Sequence, residues 1–291
     1  MTIRRQAHRW KDAPRNAGLD PVLLVCASAL LAIGIVMVAS TSIAIAEGYA
    51  VSMWHFVVRH AIYIALGLTL AVSLRWIGTR QIEVLAPYCL VAAVVVLLLP
   101  FIPGLGVERN GATRWINLGV AGFQVVEAAK LLIILFVAFY LARRPELNRK
   151  GFGETLKPLL AAGLLGIILL QQPDMGSAVV IVAIVGGMVW LAGAAWRHLF
   201  VLGLTSVPLI TVAALEPYRL RRVMSFVDPW ADPFNAGFQL TQALIAVGRG
   251  QITGVGLGAS VQKLYYLPEA HTDFIFAVLA EEFGLIGIAL V

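Results

Sequence analysis

Pro21–Ala46 reads PVLLVCASALLAIGIVMVASTSIAIA, 26 residues without a single charged side chain. A helix rises 1.5 Å per residue, and a bilayer core takes about 20 apolar residues to cross, so this segment is long enough to span. It is also longer than the apolar region of a secretory signal, and reads as a first membrane anchor. Blocks of the same kind recur down the chain. With the first span at 21–45, further spans are predicted near 52–74, 82–102, 123–142, 158–172, 176–195 and 198–215, and an eighth opens near 274.

Composition agrees with that pattern. Of the 291 residues, 60% are hydrophobic and 13% charged, and the mean hydropathy is +0.86, whereas soluble domains carry about 25% charged residues. A water-soluble protein is excluded, and the predicted fold class is all-α, a polytopic transmembrane helical bundle. The net charge of +6 would suggest nucleic acid in a soluble protein, but its placement does not. Arg4, Arg5, Arg9, Lys11 and Arg15 fall in residues 1–20, and Arg143, Arg144, Arg149, Lys150 and Lys157 in residues 143–157, flanking apolar blocks as cytoplasmic loops do. The predicted organisation is a cytoplasmic basic segment, 1–20, followed by one transmembrane domain, 21–291. Cys26 and Cys89 sit inside apolar blocks and read as small hydrophobes, not as a disulfide or metal pair.

With the amino terminus inside, the connections 103–122 and 216–273 face outward. The second carries five basic and five acidic residues, and a long, charge-balanced, glycine-rich connection of this kind is functional more often than it is a tether. Residues 236–247 are predicted to form an interfacial helix. Gly254, Gly256 and Gly258 resemble a dinucleotide loop only superficially, because no strand–helix unit surrounds them.

Several polar residues stand where chemistry can happen. Asp273 lies where a turn-like run, Leu267–Asp273, meets the apolar start of the eighth span. Partial desolvation raises a carboxylate pKa and suits it to general-base work; alternatively Thr272 or Asp273 simply caps the helix. Arg219, Arg221 and Arg222 follow the seventh span and suit phosphate oxygens, or else hold lipid headgroups or pair with Asp228 and Asp232. Glu127 and Lys130, three residues apart on a helix, form either a functional polar patch or a mutual ion pair. Asp174, in Gln171–Ser177, either lines a cavity at a helix break or caps the next helix. Trp115 is a headgroup-belt anchor or a platform for a sugar ring. Glu281 and Glu282 interrupt the eighth span, and line a cavity or pair with helices beyond this chain.

Five ordered motifs together carry a resemblance: Asn110-Gly-Ala-Thr-Arg-Trp-Ile, Gln172-Pro-Asp-Met-Gly-Ser, Arg222-Val-Met-Ser-Phe-Val-Asp-Pro-Trp, Gly237-Phe-Gln-Leu, and Gln262-Lys-Leu-Tyr-Tyr-Leu-Pro-Glu-Ala-His-Thr-Asp-Phe-Ile-Phe. From about residue 17 onward the chain resembles the SEDS family of lipid-linked glycan polymerases, and its Leu-Pro-Glu-Ala-His-Thr-Asp-Phe form is closer to the cell-division branch than to the elongation branch. The resemblance implies the SEDS fold of ten membrane helices, of which about eight are present, with a large periplasmic loop at about 216–273 and the carboxy-terminal part of the family domain absent. Val125-Val126 departs from the family, which places proline and a small residue before the glutamate.

The resemblance also implies peptidoglycan glycosyltransferase activity during septal synthesis: polymerisation of lipid II with loss of undecaprenyl diphosphate. The essential carboxylate falls on Asp273 and the important arginine on Arg219, with Arg221, Arg222, His271, Glu269, Trp115, Lys130, Glu127 and Asp174 as substrate-binding candidates. A divalent cation, Mg2+ or Mn2+, is implied as cofactor. The implied partners are a class B penicillin-binding protein, FtsI, and the regulators FtsQ, FtsL and FtsB, at the division site of the bacterial inner membrane. The competing reading is a lipid II flippase, which would need its essential polar groups near the membrane midplane and not on the outer face.

Overall fold

A computed structural model describes residues 20–48, 52, 54–77, 79–109, 112–117, 122–144, 152–201, 203–204 and 217–291. The amino-terminal basic segment and most of the predicted 198–215 span lie outside the described residues. The chain divides into two compact units, Arg75–Pro208 and Met1–Leu74 with Leu209–Val291.

In the first of these, α3 (Thr79–Leu85) runs through 3-10 turns and α4 (Cys89–Leu98) to Phe101, so Arg80–Phe101 is long and apolar enough to cross a membrane. Helices α5 (Val125–Ala142), α6 (Phe152–Gln171) and α7 (Met175–Leu191) complete the unit. Their packed faces repeat at helical spacing: Val125, Ala129, Ile133 and Val137 on α5, and Ala178, Ile181, Val185 and Val189 on α7. Small residues bring the backbones together, as in lipid they must where burial of apolar surface gives little drive. Gly166 of α6 faces Ala178 of α7, where an added methyl would just touch at 3.9 Å. Pro158 lies inside α6. That helix starts six residues before the predicted 158 because Glu154, in its first turn, is held by Tyr140 and Arg144.

The connection 103–122 is not a bare loop. It forms a three-stranded antiparallel sheet, β1 (Gly106–Arg109), β2 (Ala112–Asn117) and β3 (Gly122–Gln124), in the order β1-β2-β3. The helical fold class stands, and this sheet is added to it. Gln124 ends β3 in an extended conformation and Val125 begins α5 at once. Val125 and Val126 are both buried in the core, so the helix starts cleanly without the family's proline.

In the other unit, α1 (Pro21–Gly48) and α2 (Trp54–Trp76) are long apolar helices with mostly exposed faces, suited to lipid. α8 (Pro217–Val227), α9 (Phe238–Gly250), a π-helical turn (Gln262–Tyr266) and α10 (Ile275–Leu290) follow. The predicted 236–247 helix is present as α9; it buries Thr241, Ala243 and Ala246 and packs on α10, so closely that a Cβ on Gly250 would land on the Ala280 carbonyl oxygen.

α10 itself is broken at Gly284, with φ 63° and ψ −160°. The chain at 251–256 inserts there and takes up the freed backbone groups. Val255 and Gly256 donate to the carbonyls of Glu281 and Glu282, and Leu285 and Ile286 donate to those of Gln251 and Ile252. Away from water every such group must be paired within the protein. Gly254 explains part of the glycine run: its φ is 79°, and any Cβ there would meet the Glu282 carbonyl oxygen.

Candidate active site

Asp273 stands at the top of α10. Leu267 and Ala270 are buried and pack with Met37, Ala277 and Val278, which pins the segment leading to it. Glu269 adopts a left-handed conformation, φ 55°, and its carbonyl accepts the amides of Thr272 (3.1 Å) and Phe274 (3.2 Å). The Thr272 hydroxyl donates to the Glu269 carboxylate at 2.9 Å. The His271 ring meets Phe56 of α2 edge-on, centroids 5.5 Å apart, and its Nδ1 is out of reach of water and without a hydrogen-bond partner among the described residues.

This turn argues against the capping reading of Asp273. The residue at the N-cap of α10 is Phe274, with no side-chain capping bond. Asp273 is exposed, and its carboxylate takes part in no hydrogen bond or ion pair among the described residues. The backbone of the turn closes on itself through Glu269 and does not use the Asp273 carboxylate.

The arginines lie in the same unit. Arg219, Arg221 and Arg222 fall on α8; the side chains of Arg219 and Arg222 lie outside the described residues, and Arg221 is exposed. Asp228 and Asp232 are engaged locally, Asp228 capping the 3-10 turn through Trp230 N at 3.1 Å and Asp232 accepting from Asn235 and Ala236.

The remaining candidates belong to the Arg75–Pro208 unit. Trp115 is half-buried on β2, opposite Gln124. Glu127 and Lys130 form an ion pair at 2.8 Å in the first turns of α5, with the Glu127 side chain 57% exposed. Asp174 caps α7, accepting from the Ser177 amide (3.2 Å) and hydroxyl (2.8 Å), and it also faces Arg114 of β2 at 3.7 Å. Asp174 therefore takes the capping role, and it also pairs with Arg114 in a buried polar group. Gln172, buried beside it, donates to the Leu97 carbonyl at 2.6 Å while its Oε1 has no partner.

Three features were not read from the sequence. Arg114 sits inside a quoted motif without having been singled out. Lys263, with side-chain exposure of 6%, reaches Glu282 at 2.6 Å and Ser40 at 2.8 Å. Glu281 accepts from Ser260 at 2.5 Å and from the amides of Val261 and Gln262. Glu281 and Glu282 thus pair within this chain and need no helix beyond it. A lysine in the connection before α10, eighteen or nineteen residues from two carboxylates in a span, was the available signal.

Comparison with known proteins agrees with this architecture. The model of the FtsW/RodA/SpoVE family, described as cell cycle protein, matches residues 21–291. A curated relative from Thioalkalivibrio sulfidiphilus, named probable peptidoglycan glycosyltransferase FtsW, is 48% identical over 94% of this chain and 68% of its own length. One of the same name from Coxiella burnetii is 46% identical over 92% of this chain and 72% of its own. Among solved structures, a chain from work described as structural coordination of polymerization and crosslinking by a peptidoglycan synthase complex aligns with TM-score 0.70 at 29% identity, covering 94% of this chain and 74% of that one. The Thermus thermophilus rod shape determining protein RodA aligns with TM-score 0.60 at 27% identity, covering 95% and 71%. The family model, the relatives and the helical fold together make this chain a multi-pass membrane protein of the FtsW/RodA/SpoVE family, the SEDS proteins its motifs resemble.

Proposed function

We propose that this protein is a peptidoglycan glycosyltransferase that polymerises lipid II into glycan strands during septal wall synthesis. Relatives at 46–48% identity carry that activity in their names. The observation that carries the reading is the exposed, uncapped carboxylate of Asp273, held on a closed turn at the start of α10.

In the proposed reaction, Asp273 takes the proton from the acceptor's sugar 4-hydroxyl. That oxygen forms a bond to the donor's anomeric carbon with inversion, and the bond from that carbon to the diphosphate breaks. The electron pair leaves with undecaprenyl diphosphate. Arg219, with Arg221 and Arg222, offsets the charge that develops on the leaving group. Glu269 and His271 shape the turn beside the base. Trp115, Glu127, Lys130 and Asp174 are proposed as substrate-binding residues within the Arg75–Pro208 unit.

Among the described residues no group of three His, Cys, Asp or Glu stands together to hold a metal ion. These side chains therefore make no metal cage, and no step above runs through one. A divalent cation, Mg2+ or Mn2+, enters the proposal as a companion of the substrate's diphosphate.

The transpeptidase partner is a class B penicillin-binding protein, FtsI, in keeping with the polymerization and crosslinking complex that one structural neighbour represents. FtsQ, FtsL and FtsB as regulators, the division site, and a cytoplasmic amino terminus belong to the same proposal. Two of the residues the flippase reading draws on lie at helix ends, Glu127 in the first turn of α5 and Asp174 at the N-cap of α7, while the buried Lys263–Glu282 pair midway along α10 is the feature that would favour it. Labelled lipid II supplied in detergent micelles separates the two readings, because micelles have no opposing faces. Polymer on a gel is the expected result, and its absence with the protein folded and its partner present would overturn the enzyme reading.

A further inference from the structure

The carboxylate at the top of α10 has no bond of its own to hold it, so the backbone beneath must fix where it stands. We infer that Glu281 and Glu282 are positioning residues for Asp273, acting through the segment 260–274. The inference rests on the reading of Asp273 as the base.

The segment is tied at both ends to the same helix. Its tip runs into α10 directly, since Ile275 follows Phe274. Its root is held by two consecutive carboxylates that lie eight and nine residues further along α10, about 12 Å deeper at 1.5 Å per residue. Glu281, with side-chain exposure of 0%, receives the Ser260 hydroxyl at 2.5 Å and the Val261 and Gln262 amides at 3.2 and 3.3 Å. These are the amides at the start of the π-helical turn, so the carboxylate does the work of a cap from another helix. Arg249 of α9 approaches the same carboxylate at 3.5 Å.

Glu282 grips the next residues. Lys263 meets it at 2.6 Å, and Ser40 of α1 bonds both members of the pair, at 3.0 Å to the glutamate and 2.8 Å to the lysine. The lysine, glutamate and serine are all buried. Charges placed this deep are costly unless fully partnered, and a fully partnered buried network fixes one arrangement of the chain. Between root and tip, Leu267 and Ala270 key into the core formed by Met37, Ala246 and Val278. A shift at the root therefore has one stiff path to follow, upward to Asp273, and a misplacement of about 1 Å can lower a rate about 100-fold.

The test uses the protein in lipid nanodiscs with its transpeptidase partner. Glu282→Gln is expected to lower kcat for labelled lipid II about 100-fold while lipid II binding stays within about threefold. The charge swap Lys263→Glu/Glu282→Lys is expected to recover at least tenfold of that loss, a rescue that general loss of packing would not give. Ser260→Ala, which leaves no charge unpaired, serves where Glu282→Gln fails to fold, and is expected to lower kcat several-fold at unchanged binding.

Amide exchange supplies a readout that does not depend on the role of Asp273. Peptides covering 260–274 are expected to exchange faster in Glu282→Gln and Ser260→Ala, while those covering α5–α7 do not change. Normal kcat, or unchanged exchange at 260–274 in both variants, would overturn the inference. An active Asp273→Asn beside faster exchange at 260–274 would remove the base reading while leaving the anchoring in place.

Discussion

Gly284→Ala is expected to unseat the break in α10. At φ 63° and ψ −160° the backbone occupies a region that is essentially glycine-only, and forcing a side chain into it costs about 1–3 kcal/mol. The new Cβ would also land on the Gly254 amide nitrogen and within 2.5 Å of the Ile252 carbonyl oxygen. The inserted chain would have to withdraw, putting at risk the bonds Leu285 N to Gln251 O, 2.9 Å, and Ile286 N to Ile252 O, 3.1 Å. A buried group left unpaired costs about 1–3 kcal/mol. With both bonds lost these amount to about 3–9 kcal/mol, a large share of the 5–15 kcal/mol that holds a typical protein folded. Denaturant unfolding in mixed micelles, followed by tryptophan fluorescence, measures the loss. Gly34→Ala is the control: it lies in α1 with nothing within 4 Å of an added Cβ, and it should leave stability equal or raise it by up to about 1 kcal/mol. If Gly284→Ala costs less than about 1 kcal/mol, the insertion of 251–256 into α10 is not as described.

Two further outcomes follow from the Arg75–Pro208 unit. Asp174→Ala removes the cap of α7 and the partner of Arg114; it should cost about 1–2 kcal/mol, read as a fall in Tm of about 2–8 °C, and an unchanged Tm would contradict the capping role. For Glu127 and Lys130, a double-mutant cycle with Glu127→Gln and Lys130→Met should give a stability coupling below about 1 kcal/mol, because the Glu127 end of the pair is exposed, while polymer yield falls at least tenfold. A larger coupling with unchanged yield would make the pair structural and remove it from the substrate site.

Five of the spans were legible among the described residues because each is a run of apolar residues whose length alone matches a bilayer. Predicted and observed limits differ by a few residues, most at Pro158, where a proline suggested a start that Glu154 and its partners move back by a turn and a half. The sheet was missed although Asn110-Gly111 between Val107 and Trp115 is a strong hairpin signal; strands of three to six residues make little impression beside blocks of twenty. The glycine run at 248–258 was unreadable locally, since what demands glycine at 250 and 254 is the approach of α10, thirty residues on. The partners of Glu281 and Glu282 were hidden for the same reason: Ser40 lies 242 residues away from Glu282. Asp273 came from the motif, while its freedom from capping depended on the left-handed turn at Glu269, which the sequence does not announce.

The most direct test of the account is turnover of labelled lipid II by Asp273→Asn in the reconstituted complex, with lipid II binding measured on the same preparation. Loss of a general base typically lowers a rate by about 10² to 10⁴, so the variant should bind lipid II normally and make little polymer. Polymer at near the unsubstituted rate would contradict the claim that this carboxylate carries the proton.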